Sequence, residues 1–168
     1  SLGLAWTAID SINRDLPEGI SVYQSIHVGA NLRAWYVLVR EPLPEIESRV
    51  VVSTDTDVRE TVSDFAQRLG VPVMINGGYF RMDLNPAKHV GLLKVDGQLI
   101  HAATSSVLRG EERFYLHRSA IGFNDNNDVK IEWVSSTGDS VFSWERGIEN
   151  IPGQPGAKQD TTFRKLWA

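Results

Sequence analysis

The feature that most constrains this chain is its punctuation. Short runs of β-branched and aromatic residues recur along it, each closed by a turn signal, and that alternation predicts antiparallel hairpins. Ile20 to His27 and Leu32 to Arg40 flank Gly29-Ala30-Asn31 and read as a first hairpin. Val90 to Val95 and Gln98 to Ala102 flank Asp96-Gly97, two residues that tolerate positive φ and so suit a tight type I′ turn. Ala120 to Phe123 and Val129 to Val134 are joined through Asn124-Asp125-Asn126-Asn127-Asp128. That loop lacks the central Gly and distal Glu of an EF-hand, so it reads as a solvated turn.

Helical periodicity is scarce. Leu4, Ala8, Ile9 and Ile12 fall near helical spacing and predict a short helix within Leu2 to Arg14, ended by Pro17 and Gly19. Val58, Val62, Phe65, Ala66 and Leu69 share one face of a clearer helix that Gly70 stops. Thr61 followed by Asp64 resembles a capping box, which would move the start to Thr61. Pro42 and Pro44 interrupt pairing, and Arg49 to Ser53 and Val71 to Ile75 read as short buried strands. The expected fold is α+β, a mixed and largely antiparallel sheet whose hairpins pack against one or two helices.

A chain of 168 residues suits one domain, or the N-terminal part of a larger one. The stretch 147–168, rich in Gly, Pro, Gln and Thr, reads as a loop or linker-like tail, and its apolar end at Leu166 and Trp167 reads as cut rather than finished. With no Cys there is no thiolate nucleophile and no cysteine-ligated metal. A formal charge of −4 without a Lys/Arg block excludes a nucleic-acid surface, which needs clustered cations. No apolar stretch is long enough to span a bilayer as a helix, so no transmembrane segment is expected. No Gly-x-Ser-x-Gly elbow or Walker motif occurs, which sets aside the common serine hydrolases and P-loop enzymes.

Three places could carry chemistry. Asn76-Gly77-Gly78-Tyr79-Phe80 follows a predicted strand, and consecutive glycines let a backbone approach a ligand with its N–H groups exposed. An ordinary turn is the other reading of the same residues. His117-Arg118-Ser119 puts a guanidinium, suited to phosphate or carboxylate, at the start of a strand; a surface ion pair is its plain alternative. His89, just before Val90-Gly91, lies close after the glycine junction and could reach the same pocket as a general acid/base. Asp83 is the better catalytic candidate among nearby carboxylates, since Asp96 belongs to its turn. The histidines His27, His89, His101 and His117 show no metal-ligand spacing, so no metal site is assigned.

Thr61-Val-Ser-Asp-Phe-Ala66, Val73-Met-Ile-Asn-Gly-Gly-Tyr-Phe80, Gly91-Leu-Leu-Lys-Val-Asp-Gly97 and Arg118-Ser-Ala-Ile-Gly-Phe123, in that order, resemble the phosphodiester glycosidase family. The resemblance spans roughly residues 20 to 135 and implies part of a larger phosphodiester-glycosidase-like domain. It implies a hydrolase cleaving sugar-1-phosphodiesters of the N-acetylglucosamine-1-phosphodiester, cell-envelope or exopolysaccharide kind. Asn76, Gly77 and Gly78 would line a sugar-phosphate pocket, with Tyr79, Phe80, Gly91 and Ser119 beside it and Arg118 on the phosphate. The family's downstream Gly-Gly-Pro and Asp-Gly-Gly-Gly-Ser-like motifs are missing, which implies a lost or separate C-terminal fragment, or a non-catalytic glycan or cell-envelope binding module. A secreted, periplasmic or cell-surface location follows from the same resemblance. No cofactor is assigned from these residues, and a divalent cation stays open.

Overall fold

The structure is a computed structural model that describes residues 4–40, 45–126, 128–148 and 161–167. The chain divides into two compact units, one made of residues 1–47 and 66–74, the other of 48–65 and 75–168.

The first unit is built on a three-stranded antiparallel sheet, β1 (Thr7–Ala8), β2 (Ile20–His27) and β3 (Leu32–Val39). The predicted hairpin is present in full register from Ile20↔Val39 to His27↔Leu32. Its turn is a single 3-10 turn, closed where the Ala30 N–H donates to His27 Nδ1 at 3.0 Å and where Asn31 takes the left-handed φ of 46°. Tyr23 and Tyr36 face each other in this register and stack at 4.8 Å, with Trp6 set edge-on to Tyr36. Such cross-strand aromatic contacts contribute about 0.5–1.5 kcal/mol each beyond their burial.

The helix expected over Leu2 to Arg14 shrinks to one turn, α1 (Asp10–Asn13), and Thr7 and Ala8 instead pair with Gln24 and Tyr23. The cause is competition from the hairpin edge. Ile9 N–H donates to the Val22 carbonyl at 3.0 Å, and Asn13 brackets the same residue, donating from Nδ2 to Val22 O and accepting its N–H on Oδ1. Sheet pairing there satisfies donors that a four-residue helix would leave open. Pro42 and Pro44 lie outside the described residues.

Helix α2 (Val62–Leu69) starts where the capping box requires. Thr61 Oγ1 accepts the Asp64 N–H at 3.2 Å and its hydroxyl donates to the Asp64 carboxylate at 2.6 Å. Val58, which periodicity alone would include, stands at φ 60° before the helix. At the other end Gly70 is left-handed at φ +63° and the Val71 N–H returns to Ala66 O at 3.2 Å, the wider of the two bonds of a Schellman cap.

Two expected strands are not formed. Neither Arg49 to Ser53 nor Val71 to Ile75 is paired into a sheet, and Ile75, expected in a core, is 76% exposed. β-branched composition predisposes a segment to extension, but a strand exists only through a hydrogen-bonded neighbour.

The second unit is a succession of antiparallel pairs. β4 (Phe80–Arg81) pairs with β5 (Lys88–His89), β6 (Leu93–Val95) with β7 (Gln98–His101), and β8 (Ser106–Arg109) with β9 (Glu112–Tyr115). The β6–β7 hairpin turns on Asp96 and Gly97 at φ 47° and 76°, both left-handed as a type I′ turn demands. A four-stranded sheet follows in the order β10 (Arg118–Phe123), β11 (Val129–Thr137), β12 (Ser140–Trp144) and β13 (Arg164–Leu166). The Asn-rich loop between β10 and β11 is held by Asn124, whose Oδ1 accepts the N–H groups of Asn126 and Asp128.

This sheet carries the tightest packing. Val134 and Val141 are each 1% exposed, and the buried Trp144 donates its indole N–H to Ser135 Oγ at 2.8 Å. Of the stretch read as a linker-like tail, 149–160 and Ala168 lie outside the described residues. Its far end is part of the sheet: Arg164–Leu166 pair with Phe142 to Trp144. Trp167 then donates its backbone N–H to Val141 O, and its indole lies on Gly122 so closely that a Cβ there would meet Cζ2 at 2.8 Å. The described residues are therefore sheet-dominated and antiparallel with few helices. Among the described residues no helix is long and apolar enough to cross a membrane.

Candidate functional site

The glycine junction is an exposed, unpaired length of backbone rather than the end of a buried strand. Asn76, Gly77, Gly78 and Tyr79 are all exposed, Tyr79 at 86%. A Cβ built on Gly77 meets nothing within 4 Å, and one on Gly78 meets only the Val90 carbonyl at 3.9 Å. Immediately afterwards the chain is pinned. The Val90 N–H donates to Tyr79 O at 2.8 Å, and Phe80 pairs with His89. Gly78, Tyr79, Phe80, His89 and Gly91 are thus brought together by one short ladder.

The loop between β4 and β5 is held from outside by Arg59. Its Nη2 donates to the carbonyls of Met82 at 2.9 Å and Leu84 at 2.6 Å, and its Nη1 lies 3.8 Å from the Asp57 carboxylate. Asp57 in turn accepts the Ala87 N–H on its own carbonyl, beyond the cis Asn85-Pro86 bond. Arg59 escapes detection in the sequence because its partners are backbone carbonyls more than twenty residues away.

Asp83 sits in this loop, but its carboxylate is engaged by Arg81, whose Nε donates to Oδ1 at 3.0 Å and whose Nη2 donates to Oδ2. That hydrogen bonding holds Asp83 below the usual carboxylate range, so at neutral pH it has no proton to give. His89 is also shifted down: burial, and then the neighbouring His101, push its imidazole below the ordinary histidine value. It is a neutral imidazole at pH 7, able to accept a proton.

His101 is the residue that the sequence did not single out. Its Nδ1 lies 2.8 Å from Gly91 O and 3.0 Å from Ala102 O. Carbonyl oxygens only accept, so Nδ1 carries a proton. The signal was present in the register rather than in any spacing of histidines, since the type I′ turn folds His101 back opposite Leu93.

Arg118 and Ser119 are elsewhere in the second unit. They open β10, paired with Val134 and Trp133, and among the described residues no hydrogen bond or ion pair joins their side chains to the junction. Arg118 is exposed and has no carboxylate partner among the described residues, which leaves its guanidinium available to an anion. The register sets Arg118, Val134, Ser143 and Lys165 in one cross-strand row. Ser143 and Lys165, with Glu132, Trp133 and Glu145, line an open groove of about 370 Å³ that contains none of the residues singled out from the sequence. Beside Arg118, His117 stacks on Trp144 at 4.2 Å; burial lowers its pKa, the Arg146 backbone opposes that shift, and its Nδ1 is buried without a partner. Among the described residues no group of three or more His, Cys, Asp or Glu could hold a metal ion.

No family model, no curated protein and no solved structure matches this chain.

Proposed function

We propose that this protein hydrolyses the bond between a sugar C1 and a phosphodiester, at the exposed Asn76-Gly77-Gly78 backbone. The observation that carries the proposal is that the Tyr79–Val90 hydrogen bond brings unhindered glycine backbone beside the strand that carries His89, a neutral imidazole at pH 7. Unpaired N–H groups suit an anionic or hydroxyl-rich ligand, and the Asn76 amide supplies both a donor and an acceptor. Departure of a phosphate leaving group from an oxocarbenium-like centre needs charge stabilisation, which the open N–H groups of the junction supply, and a base for water, which His89 supplies. Arg118, on β10 and bonded to no junction residue among the described residues, is assigned to the charged part of the ligand beyond the bond that breaks. Tyr79, Phe80, Gly91 and Ser119 are assigned to the ligand surface. Substrates of the N-acetylglucosamine-1-phosphodiester, cell-envelope or exopolysaccharide class fit this chemistry, and with them the proposed location is outside the cytoplasm.

A second reading is a glycan or cell-envelope binding module without turnover. The engagement of Asp83 by Arg81 favours it, because a carboxylate tied to its own strand is withheld from the reacting centre. A panel of glycosyl-1-phosphodiesters separates the two. Release of free sugar that falls on Arg118→Ala supports hydrolysis; binding by calorimetry without release supports the module; neither binding nor release rejects both.

A further inference from the structure

We infer that Asn76 is a site of spontaneous deamidation, through cyclisation onto the Gly77 nitrogen, and that the glycine junction thereby carries a built-in chemical clock. The reaction needs three things: a side-chain amide free to rotate, a following backbone nitrogen that bears a proton and is not tied in a hydrogen bond, and no Cβ crowding the approach. All three meet at Asn76. Among the described residues neither the Asn76 side chain nor the Gly77 N–H has a hydrogen-bond partner, both residues are exposed, and a Cβ at Gly77 would meet nothing within 4 Å. Glycine also has the widest choice of backbone angles for reaching the cyclic geometry.

The other asparagines lack one condition or another. Asn13 is bonded through both side-chain atoms to Val22, and Asn124 accepts two backbone N–H groups while donating to Asp128. Asn85 precedes Pro86, whose nitrogen has no proton to lose. Asn76 is the one asparagine followed by glycine in the whole sequence.

In the reaction the Gly77 nitrogen attacks Asn76 Cγ, forming the N–Cγ bond. The Cγ–Nδ2 bond breaks, and Nδ2 leaves as ammonia with the amide proton. Water then adds to either carbonyl of the succinimide and opens it to aspartate or isoaspartate. The product carries one more negative charge in a chain of formal charge −4, placed beside the unpartnered Gly77 N–H. A phosphate-bearing ligand at this junction would be repelled by it.

The test is a peptide map of the full chain incubated under mildly alkaline conditions, folded and in denaturant. The expected result is that Asn76 converts at nearly the same rate in both, yields isoaspartate, and leads every other asparagine, while Asn13 and Asn124 react only in denaturant. Gly77→Ala slows conversion severalfold. Strong protection of Asn76 in the folded chain, or no effect of Gly77→Ala, overturns the inference. No turnover is needed for this readout, so it stands or falls apart from the proposed hydrolysis.

Discussion

His101 Nδ1 lies 2.8 Å from the carbonyl oxygen of Gly91, so a residue at the end of one hairpin strand fixes the backbone two positions beyond His89. The bond explains how a glycine-flanked segment keeps a defined path beside the open junction. Removing it by His101→Gln should cost roughly 0.5–1.5 kcal/mol of stability, the usual net worth of such a bond. The same substitution removes the charge that helps depress His89, so the His89 pKa should rise toward the ordinary histidine value in an NMR titration. A wild-type His101 found without a proton on Nδ1 would contradict the geometry.

Arg59 is predicted to be the strut of the loop that carries Asp83. Arg59→Ala leaves the Met82 and Leu84 carbonyls without their donors and should destabilise the protein by about 1–3 kcal/mol. Arg59→Lys should recover little, because an ammonium lacks the planar fork that reaches both carbonyls at once. Hydrogen exchange across residues 82–87 reads the loosening directly.

Acid should weaken this fold before its carboxylates protonate. His89 and His117 both have pKa values lowered by burial, so below the unfolded value of 6.5 the unfolded chain takes up protons that the folded chain refuses. Stability therefore falls as pH drops through 6.5 and levels off once the folded-state values are passed. His117→Phe keeps the stack on Trp144 and removes the unpartnered Nδ1, so it should flatten that slope in urea melts run from neutral to acid pH.

Trp167 is predicted to hold β13 to the sheet through its contact with Gly122. Gly122→Ala forces a methyl to 2.8 Å from the indole and should cost about 1–3 kcal/mol. Trp167→Ala relieves that clash, so the double variant should lose less than the sum of the two single losses. Strict additivity in thermal or urea unfolding would show that the ring is not there.

What the sequence disclosed divides along the range of the forces involved. The Asp96-Gly97 turn and the Thr61 cap are settled by atoms a few residues apart, and both stand where local chemistry puts them. The runs 49–53 and 71–75 failed as strands because pairing depends on a distant neighbour that composition does not reveal. At the junction, the glycines and His89 were visible by residue type, whereas Arg118, equally visible, stands on β10 with no bond to them among the described residues. Arg59 and His101 were not, since each acts through backbone carbonyls that only the folded register brings near.

The most direct test is the release of free sugar from an N-acetylglucosamine-1-phosphodiester by the full chain, with His89→Gln and Asn76→Asp beside it. The proposal predicts turnover that falls by roughly 10²–10⁴ in His89→Gln, the range of a lost general base. It also predicts weakened substrate binding in Asn76→Asp, whose added charge faces the phosphate. Turnover unaffected by either substitution would contradict a catalytic junction at Asn76-Gly77-Gly78.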